Sequence, residues 1–314
     1  MLHDITTFKF LKKHKISIIL IIILSFITFP LFSDVFESKD LLINYHKDEY
    51  KIAKEILFRF SEIMDLVNRE VGFYPDISRK ITLILCHNKK EFNQYLEQAE
   101  TLPEGSIAYA IPDKSFIVIS NPKTMQFDED FYKVLTHEYN HILLKIIAPN
   151  IFIPLWFNEG FAQYFAKQWN LKREYMFIKN GIMGNMLDLN VYNFNYPKFQ
   201  DQVDIFYSQS YYTIKYLINR FSKEKFQDYL YALQDSTNFE KTFFLIFQIP
   251  LDHFMIKAKD SIKKHAILTV FYSGFGLFWM ILPLLLFIAY IRKRLIIKKV
   301  EEVWDEDENS DNNL

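Results

Sequence analysis

The sequence predicts an α+β fold in which a small sheet is followed by a helical lobe, with two transmembrane helices flanking the whole. Three observations carry that expectation. Stretches with strand character are confined to the first 120 residues, and from Pro154 onward the pattern is mostly helical. Two uncharged apolar stretches, residues 16–33 and 266–291, bracket the middle of the chain. The composition is rich in aromatic residues, with 32 Phe and 19 Tyr against only 7 Gly, which fits a well-filled core plus membrane segments and excludes a disordered chain.

The elements follow in order. Residues 48–71 predict a long amphipathic helix, because Ile52, Ile56, Phe60, Ile63 and Val67 recur at helical spacing. Gly72 ends it, and Pro75 follows, as prolines do past a helix end. Residues 80–86 predict a strand and residues 89–98 a helix. Residues 106–110 and 116–120 predict short strands joined as a hairpin through Pro112, Asp113 and Lys114. Residues 131–148 predict a buried helix, with Gly and Pro absent until Pro149 and with Asp128, Glu129 and Asp130 suited to its positive start. Pro154 can open the next helix, since its missing N–H is not needed in a first turn. Residues 207–221 and 223–233 complete a helical lobe, and residues 251–264 lead into the second apolar stretch.

Those two stretches set the expected topology. Residues 16–33 follow Lys9, Lys12, Lys13 and Lys15, and no small-x-small cleavage site precedes Asp34, which favours an uncleaved anchor over a signal peptide. Residues 266–291 are followed by Arg292, Lys293, Arg294, Lys298 and Lys299. Basic flanks stay on the cytoplasmic side, so both termini are expected in the cytoplasm and the middle on the outer face of a cytoplasmic membrane. The expected divisions are a basic segment with its anchor (1–33), an extracytoplasmic domain (34–265), a membrane helix (266–291) and a basic-then-acidic tail (292–314). The bilayer is then an expected partner. A formal net charge of −1 gives no reason to expect nucleic acid. The single cysteine, Cys86, excludes an intramolecular disulfide and reads as a buried thiol in a strand.

Chemistry concentrates in His137-Glu138-Tyr139-Asn140-His141, followed by Glu159. On a helix the two histidines share one face, with Cβ atoms roughly 5–6 Å apart. That spacing lets both imidazoles reach one zinc ion at about 2.0–2.1 Å each. Glu138 stands beside the pair as a general base for water, and Glu159 offers a third ligand from the following helix. Three protein ligands and one open position make a catalytic rather than a structural zinc site, with one Zn2+ per chain. Three ionisable residues on so apolar a helix are costly unless something pairs with them. Lys133 and Lys145, the preceding acids and the short length of this helix place the site outside a bilayer.

The two motifs together resemble the gluzincin clan of zinc metallopeptidases, in particular the peptidase MA-like domain family. Its pattern of His-Glu-x-x-His and then Trp-x-x-Glu-Gly-x-Ala is matched by His137, Glu138 and His141, then Trp156, Glu159, Gly160 and Ala162. The resemblance extends over roughly residues 40–255 in element order, though only the motifs are sharp. It implies a zincin-like catalytic domain, zinc held by His137, His141 and Glu159, water activated by Glu138, and a peptide or protein substrate. In that clan an edge strand pairs with the extended substrate, and residues 106–110 are the candidate. Tyr207-Ser208-Gln209-Ser210 resembles the Tyr-x-x-Ser stretch that follows the glutamate motif, making Tyr207 the candidate oxyanion donor, with Tyr211 and Tyr212 as alternatives. Gln163 could orient a ligand histidine. The remaining histidines, His3, His14, His46, His87, His253 and His265, have no partner at ligand spacing and read as surface or packing residues.

The expected activity is peptide-bond hydrolysis by a membrane-anchored zinc enzyme. Two alternatives stay open: an inactive, membrane-tethered binding or assembly module on the same fold, and a zinc hydrolase acting on a non-peptide substrate.

Overall fold

The three runs predicted as strands join two further strands in one five-stranded sheet of order β1-β2-β3-β5-β4. The strands are β1 (Asp34–Glu37), β2 (Leu41–Tyr45), β3 (Ile81–Leu85), β4 (Ala108–Ile111) and β5 (Phe116–Ile119). The three central strands β2, β3 and β5 run parallel, while β1 and β4 pair antiparallel at the two edges. Ile43, Leu83 and Ile117 face one another across the centre and are fully buried, as expected of parallel strands covered by helices. The computed structural model describes residues 34–75, 80–96, 107–120 and 129–311.

Helix α1 (Tyr50–Val71) buries Ala53, Ile56, Phe60, Met64, Val67 and Val71 against the sheet and the motif helix. It stops where the sequence says it should. Gly72 adopts φ 78°, a left-handed conformation that carries its N–H back to the Asn68 carbonyl. Helix α2 (Lys89–Leu96) follows β3, and α3 (Glu129–Ile147) carries the histidine motif across β4. Next come α4 (Leu155–Phe165), α5 (Leu171–Met183), α6 (Gln200–Phe221), α7 (Lys223–Gln234), α8 (Phe239–Phe247) and α9 (Leu251–Asp311).

The chain forms two compact units. The first runs to Ile153 and takes in Phe161–Gln168 and Phe226–Thr242. It holds the sheet, and its Phe161, Phe165 and Phe226 form an aromatic cluster. The second comprises Pro154–Gly160, Trp169–Lys225 and the chain from Phe243. Helices α5, α6 and α9 pack on one another within it, and Gly181 of α5 lets Ala266 of α9 come close: a Cβ there would stand 2.8 Å from the alanine methyl. Helix α4 contributes its first turn to the second unit and the rest to the first.

The two predicted transmembrane helices are not borne out. Residues 16–33 lie outside the described residues. Among the described residues no helix is long and apolar enough to cross a membrane. The stretch 266–291 continues a helix that has already packed as part of a globular unit, burying Leu251, Phe254, Ala258, Ile262 and Ala266 at three- and four-residue intervals. The sequence signal there was an absence of charge. Thr269, Tyr272, Ser273, Gly274, Gly276, Pro283 and Tyr290 fall within that uncharged stretch. A membrane is therefore not supported as a partner. The rest of the predicted class, an α+β domain with a small sheet, a motif helix and helices beyond it, agrees with the structure.

Candidate active site

Helix α3 presents its chemistry and its anchors on different faces. Its histidines stand one turn apart, with His137 Nε2 and His141 Nε2 separated by 3.0 Å and their rings edge to face. Donor atoms on one tetrahedral zinc stand about 3.3 Å apart when each bond is about 2.0–2.1 Å, so this pair needs little movement to chelate an ion. Glu138, nearly buried, lies beside them. The two intervening residues fix the helix. The Tyr139 hydroxyl donates to Asn68 Oδ1 on α1 at 2.6 Å, and Asn140 Nδ2 donates to the Ala162 carbonyl on α4 at 3.0 Å. Both are fully buried, so the helix is held from two directions by directional bonds in a region that excludes water.

The Asn140 bond also places Glu159. Pro154 opens α4 by accepting the N–H groups of Phe157 and Asn158 through its carbonyl, and Trp156, Phe157 and Phe161 are buried completely. Ala162 sits about one turn beyond Glu159, so a helix clamped at Ala162 delivers the carboxylate beside α3. His137, His141 and Glu159 each offer a ligand atom, and these atoms lie within 4.8 Å of one another. The structure thus brings together the three residues that the sequence motifs single out as ligands.

Around Glu159 stand residues that spacing could not reveal. The Tyr196 hydroxyl donates to Glu159 Oε1. Burial, then the Glu159 charge, hold the Tyr196 phenol well above its ordinary pKa, so it stays a protonated donor. Tyr207 on α6 is within hydrogen-bonding reach of Tyr196, their ring centres 5.9 Å apart. Tyr211 stacks on Trp169, and Tyr212 on Phe177. Arg173 lies in the field of Tyr207, Asp204 and Glu159. Burial lowers its pKa, and those acidic groups oppose the shift. Together with Asn170, Met176, Asp204 and Ser208 it lines a cleft of about 230 Å³.

Gly160 earns its place in the motif by contact. A Cβ on it would meet the Ser210 carbonyl oxygen of α6 at 2.4 Å and the Ile214 side chain at 2.8 Å. Gln209 holds the neighbouring turn of α6 by a reciprocal pair of bonds to the Leu187 backbone, at 3.0 and 2.8 Å. Gln163 is fully buried on α4. Among the described residues β4, which takes in residues 108–110 of the candidate edge strand, stands at one edge of the sheet.

Two imidazoles and one carboxylate, with a second carboxylate beside the pair, form the donor chemistry of a zincin-type metal centre, and the set suits zinc in number and kind. The sequence model of the peptidase MA superfamily matches residues 80–263, more than half of the chain, and the chain belongs to that superfamily. No curated protein matches it.

Proposed function

We propose that this protein is a zinc-dependent metallopeptidase, with His137, His141 and Glu159 as ligands and Glu138 as general base. The observation that carries the proposal is the convergence of those three ligand atoms within 4.8 Å, beside a nearly buried glutamate on the same helix. When bound, zinc would supply Lewis acidity, polarising a substrate carbonyl and making water more acidic. Glu138 takes the proton of the attacking water and later delivers it to the leaving amine. Tyr196 holds one oxygen of Glu159 and thereby orients the ligand. The Tyr207 hydroxyl is assigned as donor to the oxyanion that forms at the scissile carbon. Among the described residues strand β4 stands at an edge of the sheet, a position suited to hold an extended peptide in register.

The test is hydrolysis of a casein-type substrate by the full chain, with zinc content measured on the same samples. Glu138→Gln should keep the wild-type zinc content and lose at least about 100-fold in turnover. His137→Ala should lose one zinc equivalent and all activity. If wild type and Glu138→Gln hydrolyse peptide equally, or if His137→Ala keeps every equivalent, the reading fails.

A further inference from the structure

We infer that the chain carries a second divalent-cation site, formed by Asp48, Glu49 and His87 with the pair His46 and Glu91 beside them, and that it takes a transition-metal ion of the zinc class. The site stands at the carboxyl ends of two adjacent parallel strands. His46 directly follows β2, and His87 follows β3 by two residues. Each histidine is succeeded by a glutamate in the first turn of helical backbone after it. The carboxylate reaches back to its own histidine's N–H: His46 N–H to Glu49 Oε2 at 3.2 Å, and His87 N–H to Glu91 Oε2 at 2.8 Å.

The side chains then cross over. The His87 ring nitrogen Nδ1 lies 3.4 Å from Glu49 Oε1 and 4.0 Å from Asp48 Oδ2, while His46 Nε2 lies 3.2 Å from Glu91 Oε2. Asp48, Glu49 and His87 have their ligand atoms within 4.8 Å of one another. Separations of this size approach the edge of a coordination tetrahedron, about 3.3 Å for bonds of about 2.0–2.1 Å. The two imidazole centres are 5.2 Å apart. Rings that share one tetrahedral ion have centres roughly 5 Å apart, because the ion lies about 3 Å from each.

Charge makes the case for a cation. Glu49 is fully buried and Glu91 nearly so. Among the described residues no Lys or Arg pairs with either; their ion-pair partners are the two imidazoles. Two desolvated carboxylates placed in this way favour a bound cation. A divalent ion neutralises both, and the mix of ring nitrogen and carboxylate oxygen favours zinc-class metals over calcium or magnesium. The half-exposed Asp48 marks the side on which the ion enters. Once bound, the ion ties the ends of β2 and β3 together, so it belongs to the stability of the sheet, and His46, Asp48 and Glu49 lie outside the span matched by the superfamily.

Zinc binding by the full chain tests this separately from the catalytic proposal, using a His137→Ala/His141→Ala background in which the first site is disabled. Loaded with zinc chloride and freed of excess, that protein should hold about one zinc per chain and show a melting temperature raised by about 5 °C. Adding His87→Ala, a side chain already partly exposed, should abolish both effects. Should that variant fail to fold by circular dichroism, Asp48→Asn replaces it and should weaken zinc binding at least 10-fold. The inference is overturned if the double variant binds no zinc, or if His87→Ala, or Asp48→Asn in its place, leaves binding unchanged. One zinc in the wild type that vanishes in the double variant would leave the catalytic site standing and remove this one.

Discussion

Tyr196 touches the candidate site from outside its motif. Its hydroxyl holds one oxygen of Glu159, and partners of this kind commonly contribute 10- to 100-fold to metal affinity. Tyr196→Phe should therefore weaken zinc binding about 10- to 100-fold while the fold survives, since only a hydroxyl is lost. Tyr207→Phe should leave zinc affinity unchanged and reduce kcat about 100-fold with little effect on KM, as an oxyanion donor would. Zinc titration and steady-state kinetics on the two variants separate the roles; a reversed pattern would exchange the assignments. The candidate ligands and the candidate base were legible because the proposed chemistry is local: four residues make a helix turn, and the glutamate motif lies on the next helix. Tyr196 was not legible, because it reaches Glu159 from an irregular stretch at no characteristic spacing. His46 and His87 were hidden for the same reason. Each has a glutamate close behind it in sequence, but it is the other histidine's glutamate that faces its ring, and only the parallel pairing of β2 with β3 creates that exchange.

Among the elements, α4 shows how a helix can be specified by what it must avoid. Gly160 weakens a helix by about 1 kcal/mol relative to alanine, yet a methyl group there would meet a backbone carbonyl of α6 at 2.4 Å. A backbone carbonyl cannot swing aside as a long side chain can, and overpacking of this kind costs about 1–3 kcal/mol. The overpacking outweighs the propensity gain, so Gly160→Ala should lower the midpoint of urea unfolding and loosen the Glu159 site. An unchanged midpoint would show that α6 moves freely and that the glycine serves helix geometry alone. The long helices were legible because apolar residues recur at their period and because Gly72 and Pro154 mark their ends. The register of α1 was less so. Ala53 and Met64 join its buried stripe, while Ile52 and Ile63 stand at its flank, a rotation that only the packing partner decides. Strands β1 and β2 escaped the sequence because four or five residues carry too little alternation to distinguish them from loop. The stretch 266–291 misled in the opposite direction, since the buried stripe of α9 up to Ala266 could not be separated from the uncharged run that follows it.

For the chain as a whole, the buried acids with raised pKa values decide how it responds to alkali. Burial pushes the phenols of Tyr109, Tyr139, Tyr196 and Tyr229 well above their ordinary value, Tyr95 up to about 12, and the Cys86 thiol upward as well. In the unfolded chain these phenols ionise near pH 10 and the thiol near pH 8.5, roughly. A group whose folded pKa lies above its unfolded one favours the native state below the unfolded value, and that advantage falls as pH rises towards the folded value, because only the unfolded chain then releases the proton. Stability should thus decline from about pH 9, gently for the one thiol and steeply once the phenols contribute. The tyrosinate absorbance of this buried set should appear together with the loss of far-ultraviolet circular dichroism. Cys86 should resist alkylation until the same transition. A smooth single titration with helicity preserved throughout would mean that these side chains reach water in the native state, and that the tightly filled aromatic interior supporting the candidate site is open.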